Sequence, residues 1–132
     1  MTDLPTLTHW LTRYVDAWRS NDPDLIGALF TDDATYRWHP YDEGDSVAHG
    51  REAIVRAWLE EPDAPGSWEL TFEPLAVTGD LGVARCVTTY AAGDGDERIY
   101  HNVFVLRLDD EGRCLDFTEY YMRAPATPAA DD

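Results

Sequence analysis

Leu4, Leu7, Leu11, Tyr14, Val15 and Trp18 recur at three- and four-residue steps, the spacing of an amphipathic helix. Pro5 suits its first turn, and Ser20-Asn21-Asp22-Pro23 stops it. A short second helix is expected next, with Asp22 as N-cap, Pro23 at its first position, and Leu25, Ile26, Leu29 and Phe30 apolar. Thr35 to His39 then alternates in a β-rich stretch broken by Pro40, and Tyr41 to Gly50 reads as an acidic surface loop. From Arg51 to Glu60 the helical period returns, with Ala53, Ile54, Ala57 and Trp58 on one stripe, and the Pro/Gly-rich run at 61–66 ends it. Strands are expected at about 67–78, 82–92, 97–109 and 113–122, joined by turns at 78–80, 93–96 and 109–112. A single domain is expected at 1–123, and the Ala/Pro/Asp-rich residues 124–132, with nothing to bury, are expected to be a frayed tail. Three helices followed by long antiparallel strands make an α+β layout, one sheet curling around the helices over a single pocket.

Charge narrows the partners. The 132 residues hold 26 acidic and 10 basic side chains, a formal charge of −16, which repels nucleic-acid backbones and anionic lipid surfaces. Every basic residue is Arg, so lysine Schiff-base chemistry and a phosphate-loop lysine are excluded. With 44% hydrophobic residues and 12% aromatics, a disordered acidic chain is excluded too. No run of residues is long and apolar enough for a membrane helix, and Met1 to Pro5 lacks secretory-signal features. A cytoplasmic protein is expected, with Cys86 and Cys114 as reduced thiols packed on strands.

Alternation along the strands selects candidate site residues. On the last strand Leu115, Phe117, Glu119 and Tyr121 share a face, and two apolar members precede the carboxylate. An inward Glu119 at the end of that row would be desolvated and suited to general acid/base work, although a Glu at an interface or paired with Arg reads equally well. Tyr36 and Trp38 share a face, Tyr36 offering a hydroxyl and Trp38 a flat wall, while His39 at the strand end could exchange protons. Arg85, flanked by Val83 and Val87, reads as inward and in need of Glu119 as its partner. Tyr100, Asn102, Phe104, Leu106 and Leu108 form a further inward set, in which Asn102 can position a carbonyl or a water. Trp18, Trp58, Phe104, Phe117 and Tyr121 complete the expected pocket lining. The cluster His39, Asp42, Glu43, Asp45 and His49 has metal-ligand chemistry but no recognised metal spacing, so no metal and no cofactor is expected.

Tyr36-Arg37-Trp38-His39-Pro40, His49-Gly50-Arg51-Glu52-Ala53-Ile54 opening a helix, and the closing strand from Gly112 to Tyr121 together resemble the nuclear-transport-factor-2-like superfamily, in its SnoaL-like branch. The resemblance spans about residues 5–123. It implies a cone-shaped α+β barrel with a hydrophobic pocket at its open end, and often a homodimer through the sheet. Activities in the family run from ketosteroid isomerisation and polyketide cyclisation to epoxide hydrolysis, and many members are not catalytic, so the fold leaves function open. The epoxide-hydrolase branch has a Tyr where Tyr36 stands, an Arg near Arg85 and an acid near Glu119. Val87 and Trp38 stand where that branch has an Asp and an Asn, so its water-activating set is broken. The polyketide-cyclase branch, with a late acid/base carboxylate, is more similar around Glu119.

The function expected is a cofactor-independent isomerase or cyclase acting on a hydrophobic, carbonyl-bearing small molecule of polyketide or steroid character. Glu119 would be its acid/base, with Tyr36 and His39 beside it. A non-catalytic small-molecule-binding or dimerising module is the alternative, and an adaptor using the outer sheet face is a third.

Overall fold

Asp3 accepts a hydrogen bond from the Thr6 amide at 2.8 Å and caps the helix α1, Leu4–Ser20. Asn21, in the left-handed region at φ 52°, closes it, and Asp22 caps the short α2, Pro23–Gly27. The computed structural model describes residues 2–60, 67–90 and 97–125. Along these the chain continues through β1 (Phe30–Arg37), a 3₁₀ turn (Gly44–Ser46), β2 (Ala48–His49), α3 (Arg51–Glu60), β3 (Trp68–Thr78), β4 (Leu81–Tyr90), β5 (Arg98–Leu108) and β6 (Cys114–Arg123). The expected turn at 93–96, the helix stop at 61–66 and most of the tail lie outside the described residues.

The six strands form one open sheet in the order β2-β1-β6-β5-β4-β3. Four ladders are antiparallel; the β1–β6 junction is parallel, which the expectation of an antiparallel sheet did not contain. The hydrophobic pattern marks which face of a strand is buried but not which distant strand lies beside it, so this pairing left no local signature. Register shifts at Pro74/Ala76, Arg107/Leu108 and Phe30/Thr35 bend the long strands and curve the sheet over the helices. Pro74 is tolerated because β3 is an edge strand.

The core lies between α1 and the concave face. Leu7, Trp10, Leu11 and Tyr14 from α1 meet Phe30, Tyr36, Phe104, Leu106 and Phe117 from the sheet. Trp10, which the three- and four-residue stripe did not pick out, is fully buried, and its indole N–H donates to the Leu29 carbonyl at 3.0 Å. Each such side chain removed from water contributes about 1.5–3 kcal/mol. Two apolar positions expected inside, Leu4 and Leu25, are exposed. Phe30, expected to close α2, begins β1 instead, because α2 ends at Gly27.

On β4 the small residues Gly82, Ala84, Cys86 and Thr88 face inward and the valines face outward. At Gly82 the approach is close: a Cβ there would stand 3.0 Å from the Leu7 side chain. The β3–β4 turn is a two-residue hairpin with Gly79 at φ +61° in its first central position, where a side chain would be strained. The two cysteines are buried and unpaired with each other.

Candidate active site

A cavity of about 480 Å³ opens between α1, α3 and the concave face of the sheet. Tyr14 and Tyr36 are its most deeply buried aromatic polar residues, with Phe104 and Leu70 beside them. Trp18, Trp38 and Trp58 supply flat walls, and the less buried Tyr90 and Tyr100 and the exposed Tyr121 complete the aromatic lining. Trp18 is held by stacking on Trp68, ring centroids 3.6 Å apart. The cavity is aromatic rather than purely apolar, since tyrosine hydroxyls, Thr88, Asn102 and Glu119 also reach it.

Glu119 is placed by β6. Strand alternation sends Phe117 into the core and Glu119, two residues on and opposite Phe104, into the cavity wall. Its Oε2 accepts a hydrogen bond from Asn102 Nδ2 at 2.6 Å, and Asn102 Oδ1 accepts one from the Thr88 hydroxyl at 2.9 Å. The buried Asn102 is thereby oriented, its amide nitrogen toward the carboxyl. Desolvation raises the Glu119 pKa from 4.5 to about 7, and the Asn102 hydrogen bond and the charge of His39 oppose it in part. The carboxyl group can therefore take or give a proton near neutral pH.

The neighbouring hydroxyls are fixed as proton donors. Tyr14 and Tyr36 Oη lie 3.5 Å apart, too far for a strong mutual bond. Burial pushes both phenols well above 10, with the Glu119 charge adding to it. Both remain protonated through the physiological range and can point donors at one oxygen placed in the cavity.

His39 does not line the cavity itself. Its Nε2 lies 3.0 Å from the Tyr121 hydroxyl and its Nδ1 3.2 Å from Asp42 Oδ1. Asp42 Oδ2 also accepts the backbone N–H groups of Trp38 and His39, each at 3.0 Å. The rest of the acidic loop does not join them: among the described residues no three His, Cys, Asp or Glu side chains converge as a metal site.

Two further expected site residues also lie outside the cavity lining. Arg85 is exposed on the outer face and pairs with Glu73, not Glu119. Its flanking valines suggested an inward face, but β4 turns Gly82, Ala84, Cys86 and Thr88 inward and Arg85 with the valines outward. Phe117 is fully buried and backs the cavity wall, stacked on Tyr36 at 4.4 Å, instead of lining it. Tyr14, Thr88 and Asp42 were not among the expected site residues. Tyr14 lay hidden in a helical stripe that signals core equally well. Asp42 lay in a loop whose acidity suggested solvation.

The fold and site together define a curved α+β sheet closed by helices around one aromatic cavity with a carboxyl group in its wall, the architecture of nuclear-transport-factor-2-like proteins. The chain belongs to the SnoaL-like domain family, which matches residues 11–117. Among solved structures it is similar to a nuclear-transport-factor-2-like protein of unknown function from Burkholderia xenovorans (TM-score 0.69, 17% identity, 95% of this chain and 89% of that one). It is similar to SalBIII, an epoxide hydrolase/cyclase-like enzyme of pyran-ring formation in the polyether salinomycin (0.67, 18%, 92% and 95%). A Mycobacterium tuberculosis protein matches with TM-score 0.70 and 18% identity over 94% of this chain and 99% of that one. At these identities the likeness is one of fold. No curated protein matches the sequence.

Proposed function

We propose that the protein is a cofactor-independent enzyme of general acid/base type, an isomerase or cyclase acting on a carbonyl-bearing, largely apolar molecule of polyketide or steroid character. The observation that carries this is the Glu119 carboxyl, raised to about 7 inside an aromatic cavity and steadied by Asn102. Glu119 as carboxylate removes a proton from the carbon next to the carbonyl. Tyrosine hydroxyls of the cavity wall donate hydrogen bonds to the oxygen as charge develops on it, and Glu119 returns the proton at a second carbon. Trp18, Trp38 and Trp58 press on a flat ring system, and about 480 Å³ admits a molecule of a few fused rings. SalBIII lends support, because a protein of this fold is there described as cyclase-like.

The test is solvent-deuterium exchange into α-tetralone, benzoylacetone and a β,γ-unsaturated cyclic ketone, followed by mass spectrometry. Exchange above the buffer rate that disappears in Glu119→Gln supports the reading. Saturable binding of all three ketones with exchange at the buffer rate would return the protein to the non-catalytic binding class. We also propose a homodimer through the outer sheet face, where Val83 pairs with Val105 and Val103 with the exposed Tyr120. A sedimentation coefficient of a monomer at micromolar concentration would refute it.

A further inference from the structure

Resting on that reading, we propose that Asp42, His39 and Tyr121 form a second proton-transfer arm at the cavity mouth, with Tyr121 the group that protonates the substrate oxygen and His39 and Asp42 positioning and recharging it. Tyr121 lies on the same face of β6 as Glu119, two residues further on, and both line the cavity. Its hydroxyl is 3.0 Å from His39 Nε2, within proton-transfer distance.

The chain of acceptors fixes the direction of transfer. Asp42 as carboxylate only accepts, and both its oxygens stand at 3.2 and 3.4 Å from His39 Nδ1, so Nδ1 carries the proton. Asp42 is itself pinned, since its Oδ2 takes the Trp38 and His39 amides and its side chain is 8% exposed. The imidazole is clamped between Tyr41, stacked on it at 5.1 Å and 13°, and Tyr121. Nε2 is thus the only ring nitrogen left to exchange a proton, and Tyr121 is what it faces.

The step balances as follows. With His39 as imidazolium, Nε2–H donates to Tyr121 Oη and leaves the phenol hydrogen free to point into the cavity. Glu119 takes a proton from the carbon next to the carbonyl, and the electron pair moves onto the carbonyl oxygen. Tyr121 gives its proton to that oxygen while Nε2 replaces it, leaving an enol, a protonated Glu119 and a neutral imidazole. Ketonisation reverses the order, with Glu119 protonating the second carbon. No oxidant, reductant or further reactant is consumed.

The experiment has two arms. In ¹⁵N-histidine-labelled protein, with His39 assigned through His39→Gln, the neutral ring is expected as the Nδ1–H tautomer, against the usual preference of free histidine for Nε2–H. Asp42→Asn keeps a carbonyl oxygen for the two amides but shifts the tautomer toward Nε2–H. A wild-type ring in the Nε2–H form, or a tautomer unmoved by Asp42→Asn, overturns the proposal. In the ketone exchange assay, Tyr121→Phe is expected to lower kcat by roughly 10²-fold with KM nearly unchanged, and Asp42→Asn by about tenfold. If both variants exchange at the wild-type kcat while Glu119→Gln is dead, the second arm is wrong and the Glu119 reading stands. If Glu119→Gln exchanges like wild type, that reading falls instead. If the wild type exchanges no ketone, the second arm is overturned together with the Glu119 reading on which it rests.

Discussion

Replacing Glu119 by Gln should stabilise the protein at alkaline pH and do almost nothing in acid. In the unfolded chain this carboxyl titrates near 4.5, and in the folded protein near 7. Between those values the native state holds a proton that the unfolded state has released, so unfolding is favoured as pH rises. The stability is complete below about 4.5, falls by roughly 1.4 kcal/mol per pH unit across the window, and is lost above 7, a total of about 3 kcal/mol. Glutamine is neutral throughout and keeps an oxygen to accept the Asn102 N–H, so it escapes that cost. The other acidic side chains titrate alike in both proteins and cancel in the difference. Urea denaturation of the two proteins at pH 4, 6 and 8 should therefore give matching stabilities at pH 4 and a Gln advantage growing to about 3 kcal/mol at pH 8. For a domain of this size that is a Tm difference of about 10 °C. A variant less stable than wild type at pH 8, or a gap that opens below pH 4.5, would refute the reasoning: the native carboxylate would then be favoured, not penalised.

Phe117→Ala should cost about 3–5 kcal/mol, because the ring is fully buried among Tyr14, Tyr36 and Phe104, whereas Arg85→Ala should stay within about 0.5 kcal/mol. Equal losses in urea melts would show that the two faces of the sheet are assigned wrongly. Burial pushes the Cys86 thiol up to about 12 and Cys114 above its ordinary value as well. At pH 8 neither thiol should react with an aromatic disulfide reagent until urea is added, when two should; a fast native reaction contradicts the packing. Tyr14 and Tyr36 are raised well above 10. Absorbance at 295 nm should leave at least two of the seven tyrosines un-ionised at pH 11 until the protein unfolds.

Much of this arrangement was legible in the chain because it rests on local rules. The α1 stripe, the Asp22-Pro23 cap, the Gly79 turn and the alternation of β5 and β6 each follow from residues within a few positions of one another. Glu119, Asn102, Tyr36 and Phe104 reached the cavity for that reason. The failures share a different cause. The valines beside Arg85 point to an inward face by hydrophobicity, yet β4 turns the smaller Gly82, Ala84, Cys86 and Thr88 inward, with Gly82 close against Leu7. The parallel β1–β6 ladder and the meeting of Asp42 with His39 and Tyr121 depend on contacts between distant segments, Tyr121 being 82 positions from His39. Function is legible only to the same degree: family and fold follow from the sequence, while the acid/base reading rests on where one carboxyl lies.

That carboxyl is therefore the thing to measure. Protein labelled with ¹³C at glutamate carboxyls, titrated from pH 3 to 10 beside Glu119→Gln, assigns the Glu119 resonance by its absence from the variant. The account predicts a midpoint near 7, set by desolvation in the cavity. A midpoint at or below 4.5 would mean a solvated or charge-paired carboxylate, and the acid/base account of this site would be contradicted.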